Sequence, residues 1–187
     1  MKKTENKRDA IIEILADHLL KHGLKEASLR KMAVSAGMSD RMLLHYFVDK
    51  DDIIEAALSL VERRLTALLD SARTESMPFH ELVPFLAAMV NDPSVRPYTR
   101  LALELAAAAA GGDEFFLNTA QQIFADFYEW IATVLKVEQE DNRAQLASLT
   151  FAIIEGCVLL DAVNSGLIVT QAMQGVALLS SYNDKAE

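Results

Sequence analysis

The sequence has a single cysteine among its 187 residues, so one chain cannot form an internal disulfide. It also lacks a long apolar run free of charge, because Glu104, Glu155 and Asp161 interrupt the most hydrophobic stretches. The first residues are basic, but they lead into an amphipathic helix and lack the apolar core of a signal peptide. These absences predict a cytoplasmic protein with no membrane partner.

Signatures of catalysis are missing as well. No nucleophile-elbow serine, phosphate-binding glycine loop or pair of catalytic carboxylates is present in the sequence. His18 and His22 are four residues apart, a spacing that can place two imidazoles on one metal, but no third ligand lies nearby in sequence. We therefore expect no enzyme activity, no metal and no cofactor. Cys157 lies in an apolar run and is expected to be buried.

The net charge of −9 is unevenly distributed along the chain. Residues 1–50 carry 10 Lys and Arg against 7 Asp and Glu, whereas residues 51–187 carry 8 against 20. A basic first part and an acidic remainder are typical of a protein in which only the first part meets phosphate. The charge distribution therefore favours a nucleic-acid partner for the N-terminal region.

The stretch from Ser28 to Lys50 has the pattern of two short helices joined by a tight turn. Ser28 and Ser39 are good N-caps, because a serine hydroxyl accepts from the free N–H groups of a first helical turn. Gly37 can end the first helix in the left-handed conformation. The apolar residues at helical spacing are Leu29, Met32, Ala33, Ala36, Leu43, Tyr46 and Phe47. This pattern predicts a helix-turn-helix, whose second helix enters the DNA major groove.

Several short segments extend this pattern on both sides. They are His22-Gly23-Leu24, Ser28-Leu29-Arg30, Ala36-Gly37-Met38-Ser39, His45-Tyr46-Phe47 and Lys50-Asp51-Asp52-Ile53. Together they resemble the DNA-binding head of the TetR/AcrR transcriptional regulators, over residues 8–57. Two positions depart from the family pattern: Leu44 stands where the family often has a tyrosine, and Asp40 places a negative charge at the start of the reading helix.

Apolar residues recur at three- and four-residue spacing along the whole chain, which predicts an all-α fold of about nine helices. We expect a three-helix helix-turn-helix DNA-binding head in residues 1–52. A larger helical ligand-binding and dimerisation body is expected in residues 53–187. The last two helices, separated at Ser165-Gly166, are the predicted dimer interface, because the first of them carries small residues that let a partner helix approach.

Seven residues of the head are candidates for DNA contact. Arg41 is expected to face outward on the reading helix, where its guanidinium can pair with O6 and N7 of guanine. Lys50, at the start of the next helix, resembles the family's phosphate-anchoring lysine. Tyr46 is expected to reach a phosphate, Leu44 a thymine methyl, and Ser28 and Ser39 to touch the DNA backbone in addition to capping their helices. His45 is expected to face outward beside Leu44.

The resemblance also implies a small-molecule pocket between the later helices. The candidate lining residues are Phe85, Met89, Phe124, Phe127, Tyr128, Phe151 and Glu155. An alternative is that the aromatic and methionine side chains simply fill the core. Glu155 is isolated in an apolar helix, where an unpaired carboxylate is costly to bury, so it lies at the surface, has a partner or faces a ligand.

These observations predict a ligand-responsive transcriptional regulator. In this interpretation, a homodimer binds a palindromic double-stranded DNA operator as a repressor and is released by a small, mainly apolar effector. The alternative is a helical ligand-binding or adaptor protein whose head no longer binds DNA. Asp40, Leu44 and the overall acidity favour that alternative.

Overall fold

The computed structural model describes residues 2–73 and 75–183, with side chains described for residues 6–73 and 75–178. Nine α-helices make up most of this described part, and the predicted all-α class is confirmed. The helices are α1 (Lys2–His22), α2 (Leu29–Ser35), α3 (Asp40–Leu43), α4 (Lys50–Ser71), α5 (Phe79–Val90), α6 (Arg96–Ala110), α7 (Glu114–Val134), α8 (Arg143–Ala162) and α9 (Gly166–Asn183). Two 3-10 turns, Leu24–Glu26 and Glu140–Asn142, precede α2 and α8.

The N-terminal core is built as the apolar spacing predicts. Helix α1 packs on α2, and α2 packs on α3. The side chains that fill the space between these helices are fully or almost fully buried: Ile11, Ile12, Leu15, Leu19, Met32, Ala33, Leu43 and Phe47. Because α2 and α3 are short, their stability comes mainly from this shared burial rather than from helix propensity.

One short pairing was not predicted from the helical periodicity. Strand β1 (Met77–Pro78) pairs in parallel with strand β2 (Leu135–Lys136), with Met77 opposite Leu135. Two-residue strands are too short to show the alternation that marks a strand in a sequence. The apolar spacing alone predicts a helix from Asp113 to about Val137, but α7 ends at Val134, where β2 begins.

The break between α8 and α9 was also placed too late. Asn164 adopts a left-handed φ of 56°, and the N–H of Ser165 donates to the carbonyl of Leu160 at 2.8 Å. This is a Schellman ending, in which asparagine replaces the usual glycine. Gly166, which the sequence pattern places in the break, is instead the first residue of α9.

The described residues divide into two compact units. The first consists of the residues up to Ala67 together with Arg100–Phe124, and the second of Leu68–Thr99 together with the residues from Ala125 onward. Three helices, α4, α6 and α7, contribute residues to both units. In the second unit, α5 packs against α8 and α9. The functional division between residues 52 and 53 stays a prediction.

Helix α8 is unusually apolar and poorly covered. The stretch Glu140–Ala162 is the one described stretch that is long and apolar enough to cross a membrane by length and composition, with a mean hydropathy of 1.5. Of its most apolar 18-residue window, only 28% is buried among the described residues. Several apolar side chains of this helix are therefore not covered by the residues that the structure describes.

Candidate nucleic-acid interface and effector region

The two predicted N-caps open the helices of the helix-turn-helix. The Ser28 hydroxyl accepts from the N–H of Lys31 at 3.4 Å, and the Ser39 hydroxyl accepts from the N–H of Met42 at 3.3 Å. Both serines have extended backbone geometry and are exposed. Each hydroxyl thus satisfies one free N–H of its helix and remains accessible to a backbone phosphate.

The turn between α2 and α3 depends on Gly37. Its φ of 67° lies in the left-handed region, and its N–H donates to the carbonyl of Val34 at 3.0 Å. The N–H of Met38 donates to the carbonyl of Ala33 at 3.0 Å, which completes a Schellman ending for α2. The predicted glycine stop is confirmed, and it fixes the angle at which α3 leaves α2.

The segment after Ser39 has one inward and one outward face. Helix α3 makes a single α-helical turn, and the following residues up to Phe47 continue as hydrogen-bonded turns. Leu43 and Phe47 are buried, and Tyr46 is half-buried with its ring against the edge of His45 at a centroid distance of 5.4 Å. The predicted outward residues are exposed: Arg41, Leu44, His45 and Lys50.

A contact that the sequence pattern did not reveal fixes this segment to α1. The Arg8 guanidinium lies 4.8 Å from the centroid of the Phe47 ring and donates to the Asp52 carboxylate at 3.1 Å. Asp52 also accepts from the N–H of Val48 at 2.9 Å. One charged group therefore links α1, the end of the reading segment and the start of α4, the helix that begins at Lys50.

Two exposed apolar side chains beside the predicted DNA contacts were also missed. Met42 on α3 is 55% exposed, and Val48, just before α4, is 87% exposed. Both interrupt a polar surface, and apolar groups at such positions can contact thymine methyls in the major groove. No sequence pattern reveals these two residues, because the exposure of an apolar side chain cannot be inferred within one short helical turn.

His18 has a structural role in the head. Its Nδ1 lies 2.8 Å from the Ser35 hydroxyl, and its Nε2 lies 3.1 Å from the carbonyl oxygen of Glu26. Since both ring nitrogens are engaged, His18 is not available as a metal ligand beside His22, whose ring lies 4.8 Å away. Within the described ranges, no group of three or more potential metal-ligating side chains is found.

The predicted effector residues all lie on the helices of the body and are half-buried. Phe124 belongs to the first unit, and the others belong to the second. The structure brings Phe127 and Phe151 together, with ring centroids 6.0 Å apart, and Phe127 stacks on Trp130 at 5.5 Å. The Tyr128 hydroxyl donates to the carbonyl of Ala144 at 3.5 Å.

Glu155 is half-buried, and its carboxylate has no ion-pair or hydrogen-bond partner among the described residues. Burial raises the pKa of this carboxyl group above its ordinary value. An isolated carboxylate in an apolar environment attracts a cation or a hydrogen-bond donor. Nearby Cys157 is buried, as predicted, and burial raises the pKa of its thiol.

A cleft of about 390 Å³ lies between α4 and α7 in the first unit. It is lined by Glu55, Ser59, Phe115, Asn118, Thr119, Gln122 and Ile123, none of which was among the predicted effector residues. Its lining is mixed, with one carboxylate, two hydroxyls and two amides beside two apolar side chains. The sequence pattern could not reveal it, because its two walls are distant along the chain and meet only in the folded protein.

Comparison with known proteins agrees with this geometry. The family model described as bacterial regulatory proteins of the tetR family matches residues 11–57, which contain the helix-turn-helix. The chain is also similar to the HTH-type transcriptional regulator PksA of Bacillus subtilis (strain 168), with 26% identity over 161 residues, covering 83% of this chain and 78% of PksA. The N-terminal domain, residues 11–57, belongs to the tetR family of bacterial regulatory proteins.

Solved TetR-family structures share the fold over almost the entire chain. A TetR-family regulator from a Rhodococcus species superimposes with a TM-score of 0.74 at 19% identity, covering 93% of this chain and 98% of its own. FadR of Bacillus subtilis, solved in complex with stearoyl-CoA, gives a TM-score of 0.58 at 14% identity, with 90% and 95% covered. The shared fold therefore extends beyond the head to the body.

Proposed function

We propose that this protein is a ligand-responsive repressor that binds a palindromic operator as a homodimer. The observation that carries the proposal is the outward face of the reading segment. Arg41, Leu44 and His45 are exposed on one short element that buried Leu43 and Phe47 hold against the head. Exposed side chains on a rigid, buried support are what direct reading of base edges requires.

In this proposal, Arg41 reads a base and the other head residues position the protein. Arg41 is exposed, so its forked guanidinium is free to pair with guanine in the major groove. Lys50, at the N-terminus of α4, and the caps Ser28 and Ser39 contact phosphates. Tyr46 directs its hydroxyl to the DNA backbone, while Leu44 touches a thymine methyl. The functional boundary of this head lies between residues 52 and 53.

The proposed homodimer is supported by the apolar surface of α8 and α9. Six large apolar side chains on or beside these helices are exposed in the single chain: Leu149, Leu159, Val163, Leu167, Ile168 and Leu178. A second copy of the same surface covers them in an isologous interface, as in most soluble dimers. This covering also accounts for the apolar character of α8 without a membrane, and a cytoplasmic location follows from the DNA partner.

The proposed effector is a small, mainly apolar molecule that binds in the body. The half-buried aromatic residues Phe127 and Phe151, together with Phe85, Met89 and Tyr128, supply apolar walls, and Glu155 supplies one polar point. FadR of Bacillus subtilis, a structural neighbour, was solved with stearoyl-CoA, a ligand with a long apolar chain. Binding releases DNA because the effector favours a different separation of the two heads.

Selection from random DNA tests the DNA-binding part of the proposal and yields the operator sequence in the same experiment. We expect the protein to enrich a sequence with two inverted half-sites about one helical turn apart, and the affinity to fall steeply with salt. If no sequence is enriched at any salt concentration, the result would favour the alternative, a helical ligand-binding or adaptor protein. Asp40 and Leu44 are the residues that support this alternative.

Light scattering tests the proposed homodimer, and thermal shift tests the proposed effector binding. A dimer is expected at micromolar concentration, and a monomer would contradict two-headed binding. A panel of fatty acids, acyl-CoA molecules and hydrophobic cations should contain a compound that raises the melting temperature and weakens binding to the selected operator. A stabilising compound that leaves operator affinity unchanged would contradict the coupling between effector and DNA.

A further inference from the structure

The reading segment, residues 39–48, exposes three large apolar side chains. Met42, Leu44 and Val48 are 55%, 40% and 87% exposed. We call these three residues the apolar triplet. Single apolar side chains on a protein surface need no explanation, but these three lie within seven consecutive residues of the element that is proposed to enter the groove. A partner that covers them must therefore offer apolar groups of its own.

Val48 is held in a fixed position by its backbone. Its N–H donates to one oxygen of the Asp52 carboxylate at 2.9 Å, and the other oxygen accepts from Arg8 at 3.1 Å. The ring of the preceding Phe47 is buried, and the Arg8 guanidinium lies 4.8 Å from its centroid. Valine has a branched Cβ and few rotamers, so Val48 loses little side-chain entropy when it contacts a partner. It is a preorganised apolar contact.

The other two members of the apolar triplet also project from hydrogen-bonded backbone. The N–H of Met42 donates to the Ser39 hydroxyl at 3.3 Å, and the N–H of Leu44 donates to the carbonyl of Asp40 at 3.0 Å. Leu43, which lies between them in sequence, is fully buried and fixes this turn to the head. The side chain of methionine is unbranched and flexible, so Met42 can adapt to the exact position of an apolar group.

The surroundings of the apolar triplet favour DNA as the partner that covers it. Residues 1–50 carry 10 Lys and Arg against 7 Asp and Glu, a net charge of +3, and exposed Ser39 and Lys50 lie on either side of the triplet in sequence. A basic surface attracts a polyanion. Among the four bases, thymine alone presents an apolar group in the major groove, its C5-methyl. Apolar side chains on a basic reading surface therefore match thymine.

We propose that the apolar triplet selects a thymine-rich operator, in which recognition at several positions depends on the C5-methyl group rather than on a hydrogen bond. Met42 and Val48 thereby join Leu44 as residues that determine specificity, while Arg41 reads guanine. The inference rests on the proposed DNA-binding function and deepens it by naming the class of operator. Contact between an apolar side chain and a thymine methyl removes both from water, and no other base in the same position offers this gain.

Replacement of thymine by deoxyuridine tests this dependence, because uracil keeps the hydrogen-bonding groups of thymine and lacks only the C5-methyl. In the operator that the wild-type protein selects, each thymine of one half-site is replaced in turn, together with its symmetric counterpart in the other half-site. Fluorescence anisotropy measures binding of the wild type, Met42→Ala and Val48→Ala to each duplex. Leu117→Ala, at a 42% exposed leucine of α7, is the matched control for loss of an exposed apolar side chain.

We expect uracil to weaken binding of the wild type at two or more positions of the half-site. Burial of one methyl group changes a binding constant about fourfold, so a symmetric pair of replacements should weaken binding about fifteenfold. Met42→Ala and Val48→Ala should each bind the thymine operator more weakly and lose the response to uracil at one position only, because the variant and the uracil remove the same contact. Leu117→Ala should respond like the wild type at every position.

Three outcomes would overturn the inference while leaving the proposed function intact. The first is a selected half-site without thymine, or one in which uracil has no effect at any position. The second is that Met42→Ala and Val48→Ala bind more weakly but respond to uracil like the wild type. The third is a lower association state of these variants in light scattering without DNA, which would place the apolar triplet in a protein interface. A wild-type protein that selects no DNA would instead refute the proposed function itself.

Discussion

A Cβ atom at Gly23 would lie 2.5 Å from both carboxylate oxygens of Glu104. This distance is far inside van der Waals contact, so no side chain fits at residue 23 while Glu104 keeps its hydrogen bond to Leu24. The φ of 79° and ψ of 177° at Gly23 also lie in a region that is essentially restricted to glycine. The position thus requires glycine for two independent reasons.

Gly23→Ala is therefore expected to lower the free energy of unfolding by about 1–3 kcal/mol from backbone strain, with an added loss from displacement of Glu104. Gly112→Ala is the matched control, because Gly112 also has a positive φ of 89° but has no atom near its added Cβ. Denaturant unfolding monitored by circular dichroism measures both. Equal losses for the two variants would show that Glu104 moves aside freely and contributes nothing at this position.

Arg41→Ala is expected to weaken operator binding by about 1–3 kcal/mol and to relax the preference at one base pair, as the loss of a bidentate base contact does. Arg63→Ala, at an exposed arginine of α4, controls for the loss of one positive charge. Fluorescence anisotropy with the selected operator and with a random duplex measures both variants. If Arg41→Ala weakens binding to the two duplexes equally, Arg41 contacts phosphate rather than a base.

Lys50→Ala is expected to weaken binding to all sequences alike, because a phosphate contact carries no sequence information. The slope of log affinity against log salt concentration should fall by about 1. Titrations of the same two duplexes at several salt concentrations measure this slope. A loss confined to the selected operator, with an unchanged slope, would contradict a phosphate role for Lys50.

Gly156→Trp is expected to disrupt the proposed dimer. A Cβ added at Gly156 meets no atom of its own chain within 4 Å, so the space beside it is open to a partner. Light scattering at several concentrations measures the association state, and circular dichroism verifies that the helices remain. Glu138→Ala, outside the predicted interface, should remain dimeric. A Gly156→Trp variant that stays dimeric would place the interface elsewhere.

Glu155→Gln is expected to stabilise the protein at neutral pH by about 1 kcal/mol, because it removes a half-buried charge that has no partner among the described residues. Burial raises the folded-state pKa of Glu155 above its ordinary value of 4.5, so the folded protein holds this proton more tightly than the unfolded chain. The stabilisation that comes from this tighter proton binding is therefore complete below pH 4.5. It is lost as the pH rises through the folded-state pKa of Glu155.

Thermal unfolding of the wild type and of Glu155→Gln between pH 4.5 and neutral pH, at fixed protein concentration, tests this pH dependence of stability. The difference in melting temperature should be largest near neutral pH and should shrink as the pH falls toward 4.5. Glu138→Gln, at an exposed acid, should show no such dependence. A destabilised Glu155→Gln variant at neutral pH would indicate that the carboxylate has a partner, in the dimer interface or in a bound ligand.

The local features of the head were readable from the sequence because their causes are local. A serine cap, a left-handed glycine and apolar residues three and four apart act within a few residues, so Ser28, Ser39 and Gly37 have the predicted roles. Burial of Leu43 and Phe47 then exposes Arg41 and Leu44, because a helix places residues four apart on the same face.

The tertiary structure alone decided how distant segments meet. No local pattern indicates that Glu104 accepts from the N–H of Leu24, 80 residues away in sequence, or that Arg8 stacks on Phe47. The pairing of Met77 with Leu135 and the cleft between α4 and α7 have the same origin. Such contacts depend on the relative placement of whole helices, which is set by the sum of many apolar contacts rather than by the propensity of any one segment.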